Sequence, residues 1–372
     1  MRGRKLFVVL FAAIMIVSCA GCGGGQEPAI NTETGAIEIV DDETPTPTST
    51  PSPASEPTPE PISYEGMTKS TLTGEYIDDE IAETRPVAVV INNMIKALPQ
   101  SGLSKADILY EVLTEGEITR LVAIFQSDFT SEKIGPVRSA RHYFLDIAED
   151  SKAVFVHHGR STYANTELSK RSVNNLDGMY EAAMFWRDPV RVAQAGMYEH
   201  SSYTNAERAV TAIAKKGYSS SFGPNPTAMF NFYDEFTPIT GSAAEKVNVP
   251  FSKGYYSTLT YNAEDNLYYK QHSGKIQIDE ETGEQLAFSN MLIQITTIYV
   301  IPGDPLGCRE VQLYGTGSGY YICGGKYVPV TWEKADYRTP TEWFDANGDK
   351  LTINPGKTFI AICDKNTQIT FE

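Results

Sequence analysis

The sequence predicts an α/β layered domain followed by a mostly antiparallel β domain, so the fold class is α+β or α/β. Three observations carry this. Hydrophobic residues make up 41% of the 372-residue chain, with 21 Tyr and 16 Phe, enough for a substantial core. Over residues 75–215, apolar strand-like runs alternate with helical stretches. Over residues 245–372, strand-like runs are separated by Gly, Asn, Asp and Pro turns. The charge narrows the function classes. With 31 Lys+Arg against 47 Asp+Glu the net charge is −16, which disfavours nucleic acid as a partner because phosphate neutralisation needs clustered cations.

The elements follow in chain order. Arg2, Arg4 and Lys5 precede an apolar run from Leu6 to Val17. Twelve residues are too few to span a bilayer, which takes ~20, so residues 1–21 read as a secretory leader. Ser18-Cys19-Ala20-Gly21-Cys22 fits a bacterial lipobox, where a Cys is acylated and becomes the first mature residue. Small residues directly before Cys22 favour it as the lipidated position, with Cys19 as the alternative. Residues 22–74 read as a disordered tether. From Gly23 to Ile62 there are eight acids, no Lys or Arg, and seven prolines between Pro45 and Pro61. Such a segment cannot bury enough apolar surface to order itself. Loss of the leader takes the net charge to −19, of which the spacer carries −8.

In the first domain, Pro86–Ile91 reads as a buried strand ending in Asn92-Asn93. Ser104–Thr114 reads as a helix with Ile108, Leu109, Val112 and Leu113 as its apolar stripe. Leu121–Phe125 reads as a strand ending in Gln126-Ser127, and Ala153–Val156 as another ending in His157-His158. A helix capped by Ser139 should reach about Asp150, and another should cover Asn205–Lys216. Residues 216–244 read as a connection. In the second domain, Tyr255–Tyr261 and Asn266–Gln271 form a hairpin, Met291–Ile301 is a long strand-like run, and Gly315–Gly319 is a turn. Cys308, Cys323 and Cys363 read as buried thiols, with a Cys308–Cys323 disulfide as the alternative.

Several residues could carry chemistry. On the predicted helix, Asp107, Glu111 and Glu115 fall at i, i+4 and i+8 and share a face. Arg138, Arg141 and His142 surround a helix start, where cations oppose the dipole and call for an anion. That anion is either the Glu111/Glu115 row, giving an ion network, or a bound ligand. If the three strands run parallel, Asn92, Gln126 and His157 with His158 line the crevice at their carboxyl ends, joined by His200. A Glu111/Glu115 acid–base pair, a carboxylate–His metal site and a nucleophile elbow lack the expected spacing, so no catalytic residue, metal or cofactor is assigned.

Val89-Val90-Ile91-Asn92-Asn93, Pro99-Gln100-Ser101-Gly102-Leu103, Ala106–Glu111, Glu115–Arg120 and Gly135–Arg141 together resemble the YerB-like lipoproteins of Bacillota. Val156-His157-His158-Gly159 and Leu176-Asp177-Gly178 fit the same pattern. The resemblance spans about residues 75–372 and implies a membrane-anchored envelope lipoprotein of a Gram-positive cell. It supplies no activity, because the family is itself of unknown function. Asn92 stands where the family often has Asp, and Arg160 where it often has Gly. The expected function is a non-catalytic binding protein on the extracytoplasmic membrane face. Glu111, Glu115, Arg120, Arg138, Arg141, His157, His158, Asn92 and His200 would bind an anionic small molecule, a wall fragment or an envelope protein partner. The alternatives are an enzyme acting on wall glycan or peptide, and a scaffold for an envelope complex.

Overall fold

The computed structural model describes residues 63–222 and 228–372. The expected leader, both candidate lipobox cysteines and the expected tether up to residue 62 lie outside the described residues. Among the described residues the fold is mixed, with five short α-helices, an α/β N-terminal half and a β-rich C-terminal half.

The first half contains helix α1 (Asp79–Ala82) and strands β1 (Val87–Asn92), β2 (Ile108–Leu113) and β3 (Thr119–Phe125). Helix α2 (His142–Asp150), strand β4 (Val154–His157), helix α3 (Thr162–Lys170) and strand β5 (Asn175–Asp177) follow. Helices α4 (Pro189–Val192) and α5 (Ala206–Lys215) complete it. The second half supplies β6 (Lys246–Pro250), β7 (Tyr256–Asn262), β8 (Leu267–His272), β9 (Asn290–Thr296), β10 (Gly315–Cys323), β11 (Lys326–Lys334) and β12 (Thr358–Asp364).

One 11-stranded sheet runs through both halves, with β11-β10-β9-β12-β2-β3-β1-β4-β5 as its main order. The seam is β12 on β2, a parallel pairing from Thr358↔Ile108 to Ile362↔Val112. β6, β7 and β8 belong to a second, six-stranded sheet. Two apolar cores result. Val89, Leu109, Leu121 and Ile213 of α5 share one core with Val247, Leu259 and Tyr268 of the second sheet. Ala88, Ile108 and Val122 share the other with Phe144, Leu145 and Ile147 of α2. Period-two alternation along β1, β2 and β3 sorts side chains between these cores.

Several expectations change. Ser104–Thr114 is not a helix: β2 spans most of it, buried at all six positions between β12 and β3. Residues four apart share a face in a strand as well as in a helix, so the apolar pairs fitted both readings. β3 runs antiparallel to β1, whereas β4 runs parallel to it. Asn92 and His157 therefore lie at one end of the sheet and Gln126-Ser127 at the other. Gly315–Gly319 is not a turn but the start of β10. A Cβ on Gly317 would stand 2.6 Å from the Trp332 ring, and one on Gly319 2.2 Å from the Ile293 carbonyl oxygen, so close packing requires these glycines. Ser139 does not cap α2; the helix starts at His142, and the Ser139 hydroxyl donates to the His158 carbonyl. Residues 63–74 are folded rather than tether, with Leu72 only 1% exposed.

Other expectations hold. Phe144, Leu145 and Ile147 face a core. The helix expected over Asn205–Lys216 is α5, and the Asn205 side chain caps it by accepting the Arg208 N–H. The β7–β8 hairpin turns across Ala263–Asn266. Cys308, Cys323 and Cys363 are buried free thiols.

Candidate functional site

Strand alternation decides which candidate side chains can meet. Glu111 pairs across β2–β3 with Leu121, while Arg120 pairs with Val112. Leu121 and Val112 belong to opposite cores, so Glu111 and Arg120 project from opposite faces of the sheet. The nine candidates therefore cannot form one pocket. They divide into three groups.

Glu111 is fully buried beneath the second sheet. In β8 the inward positions are Tyr268, Lys270 and His272, again by alternation. Lys270 Nζ lies 3.0 Å from Glu111 Oε2 and donates to Ser257 Oγ (2.8 Å) and Gln277 Oε1 (2.7 Å). Ser257 Oγ donates to Glu111 Oε2 (2.6 Å). Asn93 Nδ2 and Thr119 Oγ1 donate to Glu111 Oε1 at 2.9 and 2.8 Å. Burial raises the Glu111 carboxyl, but Lys270, His272 and the two hydroxyls outweigh it and hold it below its usual range. Burial pushes His272 down to about 4, so its ring is neutral at pH 7. Serine, lysine and glutamate in contact have the composition of a nucleophilic site. Here each is fully buried, so the group is a closed polar network that joins the two sheets.

Glu115, Arg120 and Arg141 form a second network on the α2 side. The Glu115 carboxylate is gripped by Arg141 through Nε (2.7 Å) and Nη2, and by Arg120 Nη2 at 3.1 Å. Arg120 Nη1 and Arg141 Nη1 also donate to the Ser139 carbonyl at 2.7 and 3.3 Å. Burial, and then the like charge of Arg138, push Arg120 down to about 10, which leaves it cationic at neutral pH. Of the cations expected near the α2 start, Arg141 is answered by Glu115, and His142 Nε2 lies 3.1 Å from Glu310 Oε2. Asp107, third in the acidic row, accepts the backbone N–H groups of Gln126 and Ser127.

Asn92, Arg138, His158 and His200 do converge, at the carboxyl ends of β1 and β4, while the His157 ring packs against Phe155 instead. Asn92 Nδ2 lies 2.7 Å from His200 Nδ1. His158 Nδ1 lies 2.6 Å from Ser202 Oγ. His157 is buried, with Nδ1 2.9 Å from the Gly159 carbonyl oxygen and 3.8 Å from Asp177 Oδ1. Burial, followed by the nearby Arg187, lowers His158, and burial, followed by Arg138, lowers His200. Both rings are neutral at pH 7. The Arg138 guanidinium meets the exposed Glu199, at 3.2 Å from its carboxylate and 2.8 Å from its carbonyl oxygen. Arg187 donates to the Tyr198 carbonyl oxygen (2.8 Å) and lies 4.3 Å from the Tyr198 ring centroid. Among the described residues, no carboxylate forms an ion pair with Arg187. Arg160, 3.4 Å from the buried Asp177, packs over the exposed Tyr180. Gln126 lies at the far end of the sheet and does not contribute.

Sequence reading missed Lys270, His272 and Ser257, although the alternation of the β8 hairpin strand carried the signal. It also missed Arg187 and Tyr198, for which no local pattern existed. The Glu111 network yields a direct test by urea unfolding. Glu111→Ala and Lys270→Met each strand a buried charge and should each cost about 3–5 kcal/mol. The double variant Glu111→Leu/Lys270→Met should recover much of that loss. Near-neutral single variants would contradict a structural role.

Comparison with known proteins agrees with this two-part chain. Residues 72–219 match the profile of a protein of unknown function, the DUF3048 N-terminal domain, and residues 247–360 match its C-terminal domain. The chain is 36% identical over 299 residues to "Putative lipoprotein YerB" of Bacillus subtilis (strain 168), covering 79% of this chain and 86% of that protein. Its structure is similar to the crystal structure of YerB protein from Bacillus subtilis, with a TM-score of 0.71 and 32% identity. That match covers 82% of this chain and 99% of the solved one.

Proposed function

We propose that this chain, which belongs to the DUF3048 family, is a lipid-anchored cell-envelope protein that binds an anionic ligand without transforming it. The leader, the lipobox and the acidic spacer support the anchor, as does the name of its Bacillus subtilis relative. The ligand site of this reading is the crevice above β1 and β4. The observation that carries it is Arg187, a guanidinium with no carboxylate partner among the described residues, beside the neutral His158. Arg138 adds a second cation whose only counter-charge among the described residues is the exposed Glu199. In a chain of net charge −16, such a local positive field favours a carboxylate, phosphate or sulfate group held by Arg forks. A non-catalytic role is favoured because the Ser257–Lys270–Glu111 contact is sealed in the core, out of a substrate's reach.

The histidines give the binding a pH signature. A bound anion favours protonated His158 and His200, so it raises their lowered pKa values and couples binding to proton uptake. Sulfate, whose charge is constant in this range, should therefore bind the full-length protein more tightly as pH falls from about 7.5 to about 5.5. Arg187→Ala should weaken it about tenfold or more at unchanged thermal stability. Absence of sulfate binding, or a flat pH profile, would count against this site. The anchor is tested separately by labelled palmitate in a Gram-positive host. Incorporation should be lost in Cys22→Ala and kept in Cys19→Ala; the reverse would move the anchor to Cys19, and no incorporation in the unmodified protein would remove it.

A further inference from the structure

The opposite end of the sheet holds a cavity that the proposed anion site does not use. Its floor is formed by Val87, Phe125 and Val154, at the ends of β1, β3 and β4 remote from Asn92 and His157, together with Ile213 of α5. All four are at most 5% exposed. The cavity measures about 300 Å³, the lower end of the range for small-molecule sites. Val210, 54% exposed on α5, stands at its mouth with the hydroxyl residues Thr84, Thr130, Ser219 and Ser220.

One polar side chain in this lining is unfinished. Gln126 is only 4% exposed. Its Nε2 donates to the carbonyl oxygens of Ala82 (3.2 Å) and Thr84 (2.7 Å), which fixes which amide atom is the nitrogen. Its backbone N–H is taken by Asp107. The remaining atom, Oε1, is buried and has no partner among the described residues. Protein interiors rarely leave a buried acceptor of this kind without a partner.

We infer that this cavity is a binding site for a small, mostly apolar molecule carrying one N–H or O–H donor, which the Gln126 carbonyl oxygen accepts. The apolar floor supplies affinity, and the single acceptor sets orientation and selects for the donor. The site is independent of the anion crevice at the other end of the sheet.

Indole and indene test this, because they share a shape and differ in the donor. Titrated into the full-length protein, indole should bind and raise the melting temperature. Indene should bind about threefold to tenfold more weakly, the range that one net hydrogen bond supports. Val210→Trp, a change at the exposed rim, should abolish binding of both while the protein keeps its melting temperature and its sulfate binding. Gln126→Leu, where it folds, should make the two ligands equivalent. Failure of both to bind, or equal binding to the unmodified protein, would overturn the inference. So would indole binding that survives Val210→Trp.

Discussion

The structure turns on a carboxylate that cannot reach water. Glu111 sits mid-strand in β2, with β12 paired on one side and β3 on the other. Its face of the sheet is covered by the second sheet. An ionised carboxylate there is tolerable only with full compensation, and Lys270, Ser257, Asn93 and Thr119 supply it. These four partners come from both halves of the chain. The pair therefore ties the β6–β8 sheet to the large sheet at one register. It also gives each half a reason to fold against the other, because separation would leave both charges buried and unmatched or newly exposed.

That constraint shapes what is left for function. The large sheet commits Glu111 to one face, and Glu115, Arg120 and Arg141 to a compact ion group on the α2 side. Arg138 and Arg187 stay outside both networks, at one sheet end. There β1 and β4 stop, and the segments carrying Arg138, Arg187 and His200 fold over them. Parallel neighbours with their carboxyl ends together are the usual setting for ligands in open sheets. At the opposite end the sheet closes less tightly and leaves an apolar cavity instead. The two ends thus offer different chemistries, one cationic and one greasy.

Much of this was legible in the sequence. The strands of β1, β3 and β4, the helices at residues 142–150 and 206–215, and the β7–β8 hairpin follow from apolar periodicity and turn residues. The placing of Asn92, His157 and His158 at one sheet end also follows once β1 and β4 are set parallel, whereas Arg138, which the sequence grouped with Glu111 and Glu115, reaches that end through the tertiary fold. What failed has physical causes. An apolar segment buried on both sides has no period of its own, so β2 passed for a helix and its acids for one helix face. The direction of β3 is set by the short Glu115–Glu117 connection, and that turn was hidden once β2 was taken as helical. Glu111 could not be matched with Lys270 because their contact spans more than 150 residues and depends on how two sheets stack. Arg187 and Tyr198 carry no local signal at all; only the tertiary fold brings them beside His158.

The central claim is that charge in this protein is divided between a sealed structural network and an open anion site. Histidine-ring NMR during a sulfate titration tests that division most directly, since both regions carry an imidazole. His158 and His200 should move with sulfate and shift their titration upward, while the His272 ring stays unperturbed and neutral down to about pH 4. A response at His272, or silence at both His158 and His200, would contradict it.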